Sequence, residues 1–217
     1  AVNAAIPPLH AWMPDAYPES TLGGTVYLGT YTTKVGIYTL IRLFAGAELL
    51  LYFGVFMAWF GALMALLEND LRRLFSYHII SQLGYMVVSL ALGIDGAVAH
   101  VFGNIVYKGT LFMCAGVIIA ATGKRKITEM GGLARSMPVT AVCMAIASLA
   151  ICGFPLFSGF VSKGLIMNAI AESGRPAVEI LMLIASVGTL LSVGLKVNYF
   201  VFFAKPQTAG AAHMAEA

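Results

Sequence analysis

His100, Asn104 and Lys108 stand four residues apart in the stretch AHVFGNIVYKGTLF, residues 99–112. On a helix each four-residue step advances about 40°, so the three polar side chains share one face. Around that face lie Val101, Phe102, Ile105, Val106, Leu111 and Phe112, which suit hydrocarbon. Histidine and lysine can take up and release protons, and an asparagine amide can hold a water between them. Three further lysines, Lys34, Lys163 and Lys196, also fall inside long apolar stretches. Facing lipid at a helix centre, a lysine costs about 2.5–3.5 kcal/mol, and four cost on the order of 10 kcal/mol, comparable with the stability of a domain. Side chains that expensive face a protein interior, a partner or water. An ammonium in a low-dielectric site gives up its proton more readily than in water, so such lysines suit proton exchange. The plainer role, a lysine that snorkels and anchors a helix end, fits Lys196 better than the other three.

The surroundings of these residues follow from composition. Of 217 residues, 59% are hydrophobic and 11% charged, where soluble domains carry about 25% charged residues. The mean hydropathy is +0.86. Apolar runs of about 18 residues or more recur, each long enough to cross roughly 30 Å of hydrocarbon. The fold class expected is all-α, a polytopic transmembrane helical bundle in the lipid bilayer. A net charge of +3 gives no reason to expect a nucleic-acid partner. Cys114, Cys143 and Cys152 sit in apolar segments without metal-ligand spacing, so neither a metal site nor a cofactor is expected.

The opening stretch, 1–19, is interrupted by Pro7, Pro8, Pro14 and Pro18. It reads as the end of a membrane span, a turn, and an interfacial segment with Trp12 and Tyr17 near the headgroups. Spans are expected at about 20–44, 49–67, 74–93, 96–121, 138–173 and 177–204, with a polar tail at 205–217. The segment 138–173 is too long for one straight span, and Gly153, Pro155 and Gly159 break its pattern. A discontinuous helix near 152–163 is therefore expected, with Lys163 just past the break. Unwound backbone at membrane depth is tolerated only where it lines a cavity or faces protein, and it recurs at transporter ion sites. With these spans, Arg72, Arg73, Lys124, Arg125, Lys126, Arg135 and Lys205 fall on one side, and Arg42 and Arg175 on the other. The first side is expected to be cytoplasmic, matrix or stromal. The chain opens AVNAAIPPLH, with neither an initiator Met nor a basic n-region, and reads as the later part of a longer polypeptide.

Four ordered motifs carry a family resemblance: PPLHAWMPDAYPES, LRRLFSYHIISQLGYM, AHVFGNIVYKGTLFMCAG and GFPLFSGFVSK. Over residues 1–205 the chain resembles the antiporter-like subunits of respiratory complex I, membrane-bound hydrogenases and Mrp-type cation/proton antiporters, and it is most similar to D-type Mrp sequences. The resemblance implies a fold of two inverted repeats, of which this chain holds the second and the end of the first. It implies a polar axis through Lys34, His100 and Lys108, leaving by Lys163, with Lys163 a proton-transfer residue. Two positions depart from the family pattern. Asn3 stands where a lysine often precedes the PLHAW motif, and Asn104 where a second histidine usually stands. The second half-channel therefore looks intact, and the first altered.

The function expected is proton, or cation/proton, translocation by one membrane subunit of a multisubunit antiporter, in a bacterial inner membrane. Its proton-transfer residues are Lys34, His100, Asn104, Lys108, Lys163 and Lys196, its partners other membrane subunits, and its ions protons and Na+. The alternatives are a proton-pumping subunit of a redox complex, and a degenerate channel kept for assembly. No flavin, haem or iron–sulfur motif is present, so no bond-making chemistry is expected from the chain itself.

Overall fold

Residues 2–205 are described by the computed structural model, and among them every regular element is helical, with one isolated antiparallel bridge between Asp70 and Lys126. The polar tail expected beyond Lys205 lies outside the described residues. The α-helices are α1 (Trp12–Glu19), α2 (Leu22–Tyr27), α3 (Thr33–Phe44), α4 (Glu48–Leu67), α5 (Leu71–Leu92), α6 (Ile94–Thr122), α7 (Pro138–Cys152), α8 (Ser158–Glu172) and α9 (Pro176–Thr189). A π-helical turn, Leu28–Thr32, joins α2 to α3 without a change of direction in the dihedrals, and a π run, Leu190–Val197, continues α9 in the same way.

Helices occupy each stretch read as a span. Four are long and apolar enough to cross a membrane by themselves: Glu48–Leu67, Leu71–Leu92, Ile94–Thr122 and Pro176–Phe203. The break expected near 152–163 is present. α7 ends in a left-handed Gly153 (φ 81°), and α8 begins at Ser158. Each half has 15 residues, or about 22 Å, so neither alone crosses a bilayer core. A side chain at Gly159 would collide with the carbonyl of Ala150, so the return of the chain past α7 requires a residue without Cβ.

α5 is the central post. It is the least apolar of the four long helices, with mean hydropathy 1.3, yet 94% of its spanning window is buried, against 44% for Glu48–Leu67 and 33% for Pro176–Phe203. A helix that lipid does not touch can hold polar residues, and α5 has Ser76, His78, Ser81, Gln82 and Ser89, all buried. Lipid tails are as apolar as leucine, so burial of apolar surface does little to hold such a bundle; close backbone approach does. Glycines supply it here. A Cβ on Gly61 would lie 2.5 Å from Ser81 N, one on Gly54 2.7 Å from Val88 N, and one on Gly84 would strike Ala58 N.

Expectations for the first and second motifs need correction. Tyr17 is not a headgroup anchor: it is fully buried, and its hydroxyl donates to Leu28 O at 3.5 Å. Residues 1–19 do not form one helix, as the prolines suggest, but Pro14 and Pro18 lie within α1, a short element that packs on α5. Arg72, counted above among the loop charges, is buried and donates to the Tyr17, Ser20 and Thr21 carbonyls and to Thr25 Oγ1. That guanidinium pins the segment after α1 against the start of α5. The exposed charges of the same end form a network: Arg73 pairs with Asp15 and Glu68, and Arg125 with Glu19 and Asp70. Arg175 pairs with Glu48 elsewhere.

Candidate proton-transfer site

α6 brings the sequence-predicted stripe into the bundle: His100, Asn104 and Lys108 are buried, at 0%, 1% and 0% exposure, while Phe102 and Val106 of the same helix are about 70% exposed. His100 has protein partners on both ring nitrogens. Nδ1 lies 2.9 Å from Ser162 Oγ, and Nε2 lies 3.1 Å from Gln82 Oε1 and 3.3 Å from Tyr107 Oη. An amide oxygen only accepts, so Nε2–H donates to Gln82 and, in the neutral ring, Nδ1 accepts from the Ser162 hydroxyl. Asn104 bonds directly to Tyr107: its Nδ2 donates to Tyr107 Oη at 3.0 Å, and the link to His100 runs through that phenol.

The lysines share one kind of environment. Lys34 is 5% exposed and donates to Gly29 O at 2.7 Å, within the π turn before it. Lys108 donates to Phe75 O at 3.2 Å, with the Phe75 and Phe112 ring centroids 5.8 and 5.9 Å from Nζ. Lys163 is 6% exposed; its Nζ lies 3.5 Å from Cys152 O, the last residue of α7, and 5.1 Å from the Tyr85 ring centroid. None of the ion pairs among the described residues involves these three lysines. A carbonyl accepts a hydrogen bond from an ammonium and from an amine alike, so those partners persist when the proton leaves, whereas the ring faces attract the charged form. Two of the three carbonyls come from helix irregularities, the π turn and the end of α7, where the regular i to i−4 ladder is interrupted.

Two groups result. Lys34 and Lys108 are linked through one aromatic ring: Lys108 Nζ stands near Phe112, and the same ring packs on Gly29, whose carbonyl holds Lys34. His100 and Lys163 meet around another, for Tyr85 lies 6.0 Å from the His100 ring and under Lys163, and Ser162 links to His100. Along α6 the two groups are about 12 Å apart, the stretch in which Asn104 and Tyr107 lie. Lys196 stands apart. It is partly exposed and donates to Leu66 O at 2.9 Å and Glu68 O at 2.5 Å, covering the carbonyl end of α4.

Five polar side chains in or beside the site were not singled out from sequence: His78, Gln82, Tyr85, Tyr107 and Ser162. The four-residue spacing that marks His100 and Asn104 also marks His78 and Gln82 on α5, but α5 has polar residues on every side, and no single stripe stands out. Tyr107 falls seven residues after His100, on the same face, and reads as an apolar side chain until its hydroxyl is placed.

Comparison with known proteins follows the same lines. The family model described as NADH:quinone oxidoreductase/Mrp antiporter, TM, matches residues 1–192. An uncharacterized protein of Methanocaldococcus jannaschii is 35% identical over 216 residues, covering 93% of this chain and 44% of the relative. F(420)H(2) dehydrogenase subunit L of Methanosarcina mazei is 37% identical over 75% of this chain and 27% of the relative. Among solved structures, the Mrp complex of Dietzia sp. superposes with a TM-score of 0.87 at 30% identity, over 95% of this chain and 41% of that one. The archaeal membrane-bound sulfane sulfur reductase superposes with a TM-score of 0.86 at 26% identity, over 100% of this chain and 48% of that one. The chain thus spans less than half the length of each of these proteins. With its motifs, its broken helix and its matched length, this integral membrane chain belongs to the NADH:quinone oxidoreductase/Mrp antiporter transmembrane family.

Proposed function

We propose that the chain is the proton-translocating part of a membrane subunit in a multisubunit cation/proton antiporter, with six complete spans and the end of a seventh. Protons pass between Lys34, Lys108, His100 and Lys163, with Asn104, Tyr107 and water between the groups, and Lys196 serves at the rim. Ordered water can bridge gaps too wide for a direct hydrogen bond. The single observation that carries this reading is the burial of three lysines and His100 inside one helical bundle, each held by carbonyls, hydroxyls or rings rather than by a carboxylate. Other membrane subunits are the partners, a reading supported by both structural neighbours, an Mrp complex and an archaeal respiratory membrane complex. Na+ as the exchanged ion and a bacterial inner membrane rest on the sequence resemblance; relatives of similar identity come from archaea and animals as well as bacteria.

A redox-driven pump is the second reading, favoured by the likeness to the sulfane sulfur reductase and the F(420)H(2) dehydrogenase subunit. Co-purifying subunits separate the two: hydrophilic metal-cofactor proteins belong to a redox complex, small membrane proteins to an antiporter. The shared claim is tested by a pH-gradient assay on vesicles holding equal amounts of assembled complex. Lys108→Ala and Lys163→Ala are each expected to slow transport at least tenfold. Wild-type rates from both would overturn the reading.

A further inference from the structure

The route just proposed leaves a fully buried histidine unused. His78 sits at the middle of the central helix, with Nε2 2.8 Å from Ser192 Oγ in the π run after α9. The Ser192 hydroxyl itself lies 2.5 Å from Gly188 O, so its proton is directed to that carbonyl. Nε2–H is then the donor to Ser192, and the lone pair of the neutral ring is on Nδ1. That Nδ1 is buried and has no hydrogen-bond partner among the described residues. It is an open proton acceptor in the interior of a bundle.

Its neighbours make it a junction. Lys163 stands under the Tyr85 ring, which lies beside His100, and Lys196 lies one turn beyond Ser192 on the π run. Lys163 and His78 are also tied to one patch of backbone: Lys163 Nζ lies 3.5 Å from Cys152 O, Cys152 Sγ lies 3.9 Å from Thr189 O, and Ser192 Oγ, the partner of His78 Nε2, lies 3.4 Å from that same carbonyl. Carbonyls only accept, so the proton reaches Nδ1 by water. Ser148, one turn before Cys152, has a buried hydroxyl without a partner among the described residues, the kind of group that buried water satisfies. One turn beyond Ser192, Lys196 reaches Glu68 O, and the Glu68 carboxylate pairs with Arg73 at the charged end of the bundle.

We propose that His78 is a second relay histidine, carrying protons between Lys163 and the charged end of the bundle along α5 and the π run, beside the route through His100. Uptake at Nδ1 gives the imidazolium, and release of either ring proton to the next carrier restores the neutral ring. The assignment rests on the proton-translocation reading above, and its test separates the two. His78→Gln keeps a group able to bond Ser192 but cannot carry a proton; His78→Phe keeps the ring volume and loses both. In the full-length subunit within its complex, transport is measured in vesicles at equal assembled amounts, with Lys163→Ala alongside. The expected result is Lys163→Ala inactive and both His78 variants at least tenfold slow, with His78→Gln assembled to the wild-type level. A role in packing alone predicts that His78→Gln restores transport as well as assembly, and that result, with Lys163→Ala inactive, overturns the His78 assignment and leaves the function standing. Wild-type transport from Lys163→Ala and His78→Gln together would overturn both.

Discussion

The phenol of Tyr107 is the smallest part on which the proposed relay depends, because it alone joins Asn104 to His100 by direct hydrogen bonds. Tyr107→Phe removes one oxygen and keeps the ring. It leaves the Asn104 amide short of a partner, at about 1–3 kcal/mol for a buried group left unsatisfied, while His100 Nε2 keeps Gln82. Transport in vesicles is expected to fall several-fold while the amount of assembled subunit changes little. Much of this site was legible from residue types. Lysine inside an apolar helix has few stable places, and Lys34, Lys108 and Lys163 are all buried as their cost in lipid required. The carbonyl partners were not legible, because a backbone acceptor has no signature in a sequence. Nor was the split between Lys163 and Lys196, since both lie in apolar runs and only the position of the α4 end distinguishes them.

Helix irregularities do the positioning at the scale of elements. The break at 153–157 could be read from Gly153, Pro155 and Gly159, for two of these resist helix and the third permits close approach. The π turn at Leu28–Thr32 could not, because widening a helix by one residue per turn is decided by packing around it and not by local preference. Tyr17 misled for a related reason: an aromatic near prolines suits a membrane interface, yet the fold of α1 against α5 turns it inward. Glycines hold the post in place. Gly84→Leu would drive a side chain into the backbone of α4 at Ala58. Overpacking of this kind costs about 1–3 kcal/mol or more, so the assembled subunit recovered from membranes is expected to drop sharply. Leu63→Ala, at an exposed position on α4, is expected to leave recovery near normal.

Over the whole molecule, positive charge is biased to one end. Asp15, Glu19, Glu68, Asp70, Arg73 and Arg125 form linked ion pairs there, with Lys126 beside them. Most of these side chains are substantially exposed, so each pair contributes only about 0–1 kcal/mol, and their weight is in orientation rather than stability. With Arg72 buried, six basic residues still mark that side against two on the other, Arg42 and Arg175. A single cysteine introduced as Lys126→Cys is expected to react with a membrane-impermeant maleimide in inverted vesicles and not in right-side-out cells. Glu172→Cys, at the far end of α8, is expected to show the opposite. Matching labelling of both from one side would reverse the reading of the bundle as a set of spans. Transport belongs to this scale as well, since it requires every carrier along the bundle to give up its proton. Arginine at position 163 keeps a positive charge beside the Cys152 carbonyl and the Tyr85 ring, but a guanidinium is too weak an acid to release a proton at working pH. The most direct measurement is therefore the rate of pH-gradient collapse in vesicles carrying Lys163→Arg at the same assembled amount as wild type. The rate is expected to fall to the level of Lys163→Ala; a wild-type rate would mean that the position needs only a fixed charge, contradicting proton relay by the buried lysines.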